Sequence, residues 1–509
     1  MIEKAYPYMA LTSVNRRTNP YVMKDIELWD AVNFWTERAV GSKKVRPGYS
    51  LFMDRADTSP VRGFAYAKFP NGYKRLARFS GTKMYAVDPN TASVWGTALL
   101  TASNAFLRPD YTTFAAKVHI VDKDATSLKY LEWVNSAGAD TVTVPTYASG
   151  TELVIPYKSA AITTFHRRVY VGHTYYSPNE YGSRIGWSSL EYANKGTDPA
   201  SPWTSLDTDT TSANYRNIDT DYKGDILKIT NINDRLNIYK EGGIYRYNET
   251  AVFDIFGLSP VQGSIATMEE TKEDYFFTNE GFFKTNGTES SPIGTGWYPI
   301  IKEILKNGVT ASKMHSHAVN FLYFCYMGDV TYDKKTITNA CFVYNALYDE
   351  LSLWSFGHDI TAIGHYTNSS NDKIVVLGDV NGYTYKLDYT ANDDAGTPIQ
   401  ARMHTKYFWF GGETPEQQSQ MSKMFVFSTL GSEVQILADR DFLNEPKELG
   451  SVSGTEKALG FGYEKLNYFR NVSVEFVWNG KGTRPEIYGV ILMVKGASER
   501  DVPDKEHKK

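Results

Sequence analysis

Residues Arg235-Leu236-Asn237-Ile238-Tyr239-Lys240-Glu241-Gly242-Gly243-Ile244-Tyr245-Arg246-Tyr247 decide the fold. A short alternating strand ends in aromatics, a glycine turn follows, and a second strand begins with aromatics. This is a β-hairpin: glycine supplies positive φ in the turn, and alternation turns one side of each strand inward. The unit recurs at Tyr275-Phe276-Phe277-Thr278-Asn279-Glu280-Gly281-Phe282-Phe283-Lys284 and across Ile374 to Leu387 around Asn381-Gly382. Half-copies stand at Thr82 to Val87 and Arg167 to Gly172.

One such hairpin cannot bury a core alone. Repeated about every 40 to 50 residues and stacked radially, the hairpins share one and leave only short edges. The expected fold class is therefore all-β, a multi-blade β-propeller of six or seven blades over residues 56–390. An N-terminal arm, 1–55, precedes it. After a linker at Ala391 to Gly396, alternation without the blade rhythm predicts a β-sandwich-like domain over 391–496. The charged end, 497–509, is expected to be disordered. Two interruptions stand out: a polar, turn-rich stretch at 174–222, and one helix within 298–313, with Pro299 near its start and Ile300, Ile301, Ile304 and Leu305 on one stripe.

Composition supports this reading. Aromatics make up 14% of the 509 residues, mostly 36 Tyr and 26 Phe, which suit half-buried strands. The formal charge of −4 argues against a chain that coats nucleic acid, which needs a basic surface. Two cysteines, Cys325 and Cys341, do not make a disulfide scaffold and fit a reducing cytoplasm. No run of about 18 apolar residues predicts a membrane-spanning helix, and the first residues do not read as a secretory signal.

The search for chemistry gives little. His315 and His317 share one face of a strand, but a metal site needs a third ligand and none is in register nearby. The alternating carboxylates Asp207/Asp209 and Asp219/Asp221 lack the EF-hand spacing and read as solvated loops. Gly480-Lys481-Gly482-Thr483 lacks the rest of a phosphate loop and reads as a hairpin turn. No Gly-x-Ser-x-Gly, His-Glu-x-x-His or Cys-x-x-Cys occurs. Catalytic residues, metal ligands and cofactors are all expected to be absent, and the chain is not expected to be an enzyme. The alternative is a propeller enzyme acting on glycans, with carboxylates gathered at the channel mouth.

Three features together resemble a known family: Lys44-Val45-Arg46-Pro47-Gly48-Tyr49 ahead of the first blade; the run from Asn233 through Gln262-Gly263-Ser264, Ser291-Pro292-Ile293 and the helix; and Phe342-Val343-Tyr344-Asn345 followed by Trp354. Their order is similar to that of the tail-nozzle and tail-hub β-propeller proteins of short-tailed bacteriophages. That resemblance implies a structural virion protein, assembled in the bacterial cytoplasm into a six-fold homo-oligomeric ring in the tail. Such a ring meets portal or adaptor proteins on one side and distal tail or fibre proteins on the other. DNA passes through it without sequence-specific binding, and the ring helps retain the genome. A tail-tip or fibre-attachment position fits the same layout. The arm has aromatics without local periodicity, so it either packs on its own domain or reaches a neighbour. On the second reading the contact residues are Arg16, Arg17, Trp29, Phe34, Trp35, Lys43, Lys44, Arg46 and Tyr49.

Overall fold

A computed structural model describes residues 3–19, 23–38, 40–123, 128–143, 147–149, 152–154, 158–176, 179–188, 215–218, 224–410, 419–429, 432–441, 445–453, 458–460, 466, 469–480 and 482–496. The chain is nearly all β, in many small antiparallel sheets. The expected tail at 497–509, most of 174–222 and both Asp-Thr-Asp runs lie outside the described residues.

The hairpins at Arg235 to Tyr247 and Tyr275 to Lys284 each form the middle of a four-stranded sheet, and the one at Ile374 to Leu387 lies in a six-stranded sheet. Sheet 4 is Ile226–Ile232, Arg235–Lys240, Gly243–Tyr247 and Val252–Phe256, with Tyr239 opposite Ile244. Sheet 5 is Ala266–Met268, Glu273–Thr278, Gly281–Thr285 and Ser290–Pro292. Sheet 1 is Val61–Lys68, Lys74–Ser80, Lys83–Val87 and Leu100–Thr101. An eight-stranded sheet follows it, divided by a single bridge, Lys129 to Ser159, into two halves. The half with Asp110–Phe114, Lys117–Lys123, Leu128–Ser136 and Ala139–Thr143 is sheet 2; that with Lys158–Phe165, Arg168–Tyr176, Asn179–Trp187 and Tyr215–Asn217 is sheet 3. Sheet 6 is His315–Val319, Leu322–Tyr332, Lys335–Asn345 and Glu350–Ser355.

Sheet 7 takes three strands in order, Ile360–Thr367, Lys373–Asp379 and Thr384–Asp388. Its fourth is Gly48–Met53, from the other end of the chain.

Seven apolar interfaces join these sheets in a closed cycle. Phe79 and Trp133 belong to one core between sheets 1 and 2, Tyr130 and Val169 to one between 2 and 3, and Phe165 and Leu236 to one between 3 and 4. Tyr239 and Phe276 meet between 4 and 5, Phe282 and Phe342 between 5 and 6, and Trp354 and Leu377 between 6 and 7. Val376 and Leu76 return the cycle to sheet 1. The first strand of sheet 7 runs along that of sheet 1 so closely that a Cβ on Gly364 would stand 2.7 Å from Phe64 Cβ.

Two further sheets face each other at the C-terminal end and share one core. Sheet 8 continues from sheet 6 through a single parallel bridge, Val32 to Leu353, and orders Leu28–Val32, Ala401–Thr405, Asn471–Trp478, Val434–Arg440 and Lys447–Val452. Sheet 9 orders Phe34–Trp35, Lys43–Val45, Glu486–Gly496, Ser419–Thr429 and Ala458–Gly460, and Glu3–Met9 also pairs with Glu486–Gly496. Of the two readings of the arm over 1–55, the strands show it packed on its own chain. Strands from residues 3–45 lie inside the C-terminal pair, and Gly48–Met53 lies inside sheet 7. Gly480 to Thr483 is not a hairpin turn, because the strands it joins belong to different sheets.

The expected helix is α1, Tyr298–Asn307, which starts with Pro299 and buries Ile300, Ile301 and Ile304. It packs on sheets 5 and 6.

Candidate functional site where the first strands meet

From sheet 5 through sheets 6, 7, 1, 2 and 3 to sheet 4, the first strand of each sheet lies beside that of the next, and polar side chains meet across them. His317 Nε2 and His365 Nδ1 are 2.8 Å apart, joining sheets 6 and 7. Lys228 of sheet 4 reaches Asp110 of sheet 2 at 3.2 Å, and the same carboxylate accepts the Ile162 N–H of sheet 3. The Tyr66 N–H of sheet 1 donates to the Tyr111 hydroxyl of sheet 2. Burial drives all three imidazoles down: His315 to about 4, His317 well below its ordinary value with help from His365, Lys228 and Lys373, and His365 in the same direction. They are neutral at neutral pH.

Each end of this cluster has its own charge. At one end Lys373 reaches Glu269 at 2.8 Å and Glu270 at 2.9 Å. Burial works to raise the Glu270 carboxyl, but Lys373 and the Asn320 N–H outweigh it and hold it below its ordinary value. At the other end stand Arg62, Arg108 and Lys313, with Lys313 reaching Asp359 at 3.5 Å.

This chemistry suits neither a metal nor general acid catalysis. Two imidazole nitrogens sharing one zinc stand roughly 3.3 Å apart, as bond lengths of about 2.0–2.1 Å and tetrahedral angles require. The His317–His365 contact is shorter and is a hydrogen bond. Asp110, Glu269 and Glu270 are each held by lysine, the reverse of what a general acid needs.

Two other groupings resemble sites. His173, Glu180 and Asp225 are near enough for a metal. However, Glu180 contacts Nε2 while Asp225 lies 3.3 Å from Nδ1, and one ion takes only one nitrogen of a ring. The imidazole instead bridges two carboxylates. His404 Nε2 lies 2.6 Å from Ser473 Oγ, as in a base–nucleophile pair, but Ser473 is fully buried under neighbouring strands, where no substrate reaches it.

Most of the contact residues read from the sequence are turned into their own chain. Phe34 is in the core shared by sheets 8 and 9, and Trp35 meets Trp354 edge-on at 5.3 Å. Lys43 is buried, bonding Glu350 at 2.6 Å and Thr36 at 3.0 Å; burial lowers its pKa and Glu350 opposes that. Lys44 pairs with Glu37 at 2.6 Å. Arg46 is fully buried against Asp394, and the Tyr49 hydroxyl meets His358 Nδ1 at 2.7 Å. Arg16 lies 4.2 Å over Trp29, bonds its carbonyl and pairs with Asp333 at 2.6 Å. Only Arg17 is exposed. The expectation that these side chains face a neighbouring subunit is corrected for the buried ones: their charges and rings are already matched within the chain.

Sequence reasoning paired His315 with His317 but missed His365, Lys228 and Asp110. Nothing local marks them, because the sheet cycle alone brings them together. Both cysteines are buried, and burial raises their thiols, Cys325 to about 12.

No protein family matches this sequence, and no curated protein does either. Solved structures similar to this chain at low identity include the following two. A crystal structure of BBS1N in complex with ARL6DN aligns at 10% identity over 68% of this chain and 99% of that one, with a TM-score of 0.40. The extracellular domain of the putative one component system BT4673 from B. thetaiotaomicron aligns at 9% identity over 94% of this chain, with a TM-score of 0.42; the chain spans 64% of that protein's length.

Proposed function

We propose that the chain is a seven-bladed β-propeller fused to a β-sandwich, and that it serves as a structural, non-catalytic component of a short-tailed bacteriophage tail. The observation that carries the architecture is the closed cycle of seven apolar interfaces, with Gly48–Met53 completing the last sheet from the opposite end of the chain. Such closure lets seven small sheets share cores while exposing only short edges. The role rests on the order of sequence elements, which resembles that of tail-nozzle and tail-hub proteins. The central polar cluster fits it, because its carboxylates are held by lysines and its imidazoles are kept neutral. In this reading the subunits form a six-fold ring between portal or adaptor proteins and the distal tail.

The test is assembly. Light scattering after size exclusion, with negative-stain imaging, should find rings of six chains in the purified protein or on mixing with portal and adaptor proteins. A chain that stays monomeric under both conditions overturns the proposed role and leaves the architecture standing.

A further inference from the structure

Five asparagine–glycine pairs occur in the chain, at Asn71-Gly72, Asn286-Gly287, Asn307-Gly308, Asn381-Gly382 and Asn479-Gly480. Such a pair can react with itself. The glycine nitrogen, with no side chain beside it to block the approach, can attack the asparagine Cγ. Whether it does depends on whether the fold already holds the two reacting groups.

Four of the pairs are held. The Gly72 N–H donates to the Phe69 carbonyl at 2.9 Å, Gly308 to the Leu305 carbonyl at 3.2 Å and Gly382 to the Asp379 carbonyl at 3.3 Å. Gly287 donates to Thr285 Oγ1 at 3.1 Å. Three of the side-chain amides are tied as well. Asn71 Nδ2 donates to the Asn135 carbonyl at 3.1 Å, Asn307 Nδ2 to the Thr331 carbonyl at 2.8 Å, and Asn286 Oδ1 accepts the Thr288 and Glu289 N–H groups. The Asn381 side chain is exposed, but Asp379 fixes its turn by accepting the N–H groups of Asn381 and Tyr383.

Asn479-Gly480 differs on every count. Asn479 is exposed and its side chain makes no hydrogen bond among the described residues; nor does the Gly480 N–H find an acceptor among them. The pair follows directly on Asn471–Trp478 of sheet 8, on the way to Glu486–Gly496 of sheet 9, so no hairpin ladder joins its two flanks.

We propose that Asn479 is a site of spontaneous covalent modification, converted by attack of Gly480 into aspartate and isoaspartate. The Gly480 nitrogen bonds to Asn479 Cγ, and the Cγ–Nδ2 bond breaks. The proton from Gly480 passes through water to Nδ2, which leaves as ammonia and closes a succinimide ring. Water then opens the ring at either carbonyl. The product places a new negative charge on the connection between sheets 8 and 9 and, as isoaspartate, lengthens the main chain next to buried Trp478. The inference is independent of the tail role.

Ageing the full chain at mildly alkaline pH, native and in parallel in urea, tests it. Each of the five pairs falls on its own tryptic peptide, so mass mapping with fragmentation follows all five at once. In urea the five should react at comparable rates. In the native chain Asn479 should keep its urea rate, while the other four slow by roughly ten-fold or more, since their hydrogen bonds must first open. Asn479→Gln removes no contact and should fold as the parent does, and it should abolish most of the ammonia released by the native chain. Native protection of Asn479 equal to that of the other four, a faster native reaction at any of them, or undiminished ammonia release from Asn479→Gln would each overturn the proposal.

Discussion

Arg46 and Asp394 are 348 residues apart in sequence and form a buried two-point ion pair, Nη1 to Oδ1 at 2.8 Å and Nη2 to Oδ2 at 2.5 Å. The remaining guanidinium donors go to Asn33 Oδ1 and the carbonyls of Pro47 and Ser355, and Asp394 also takes the Gly357 N–H. The pair therefore ties the entering strand, sheet 6 and the linker to sheets 8 and 9. Removing one partner strands a buried charge, so Asp394→Ala should destabilise the fold by about 3–5 kcal/mol. The double variant Arg46→Met/Asp394→Leu leaves no charge behind and should cost less than either single change. Urea denaturation of the four proteins checks this; a double variant as unstable as the sum of the singles would contradict it.

The closeness of sheets 7 and 1 gives a second prediction. Gly364 has no space for a side chain, and the atom it would strike is the Phe64 Cβ, which cannot swing away. Gly364→Ala should therefore lower stability by about 1–3 kcal/mol, as overpacking does. Gly72, whose added Cβ would meet nothing within 4 Å, tests positive φ without crowding. Gly72→Asn should be close to neutral, since asparagine tolerates the left-handed region. Thermal unfolding of both variants separates steric closure from backbone strain.

What the sequence made legible is what is local. The hairpins at Arg235 to Tyr247, Tyr275 to Lys284 and Ile374 to Leu387 each appear as adjacent strands, because alternation and a glycine or asparagine turn are written within a dozen residues. The helix at Tyr298 was legible for the same reason. The partners of Tyr49 and Arg46 were not. Gly48–Met53 pairs with Thr384–Asp388 from far away in the sequence, and no pattern within either segment names the other. The same holds at the centre, where His317 and His365 meet only because sheets 6 and 7 are neighbours. A stretch with aromatics but no period of its own looked like an arm, because its period is completed by strands near the opposite terminus.

Acid should weaken the fold through its buried imidazoles. His119 is fully buried, accepts from the Tyr130 hydroxyl at 2.7 Å and is pushed down to about 4, chiefly by burial, with Glu132 opposing. A folded pKa below the unfolded value of about 6.5 means that the native state favours the neutral ring. That contribution is complete above about pH 6.5 and is lost as pH falls toward 4, on the order of 3 kcal/mol for a fully buried group. His119→Gln stays neutral at every pH, so its urea midpoint should fall less steeply between pH 6.5 and 4 than the parent's. Parallel curves for the two proteins would show that His119 is not the source.

Deleting residues 1–45 tests whether the N-terminal segment is an arm or part of the fold. The deletion strips Glu3–Met9 from its pairing with Glu486–Gly496 and takes Leu28–Val32 from between Ala401–Thr405 and sheet 6. It also removes Leu11, Val14, Leu28, Val32 and Phe34 from the core shared by sheets 8 and 9, and Trp35 from its place against Trp354. At roughly 1.5–3 kcal/mol for each large apolar side chain, the loss matches or exceeds the whole stability of an ordinary domain. The truncated chain should be insoluble or unfolded by circular dichroism. A soluble chain with the parent's urea midpoint would mean that the segment is dispensable to the fold and free to serve a neighbour. Because the deletion destroys what it is meant to probe, a role in assembly needs a surface change instead. Arg17 is exposed, and its side chain makes no hydrogen bond or ion pair among the described residues. Arg17→Glu should leave the urea midpoint unchanged, so any loss of ring formation in that variant reports on contacts between subunits rather than on folding.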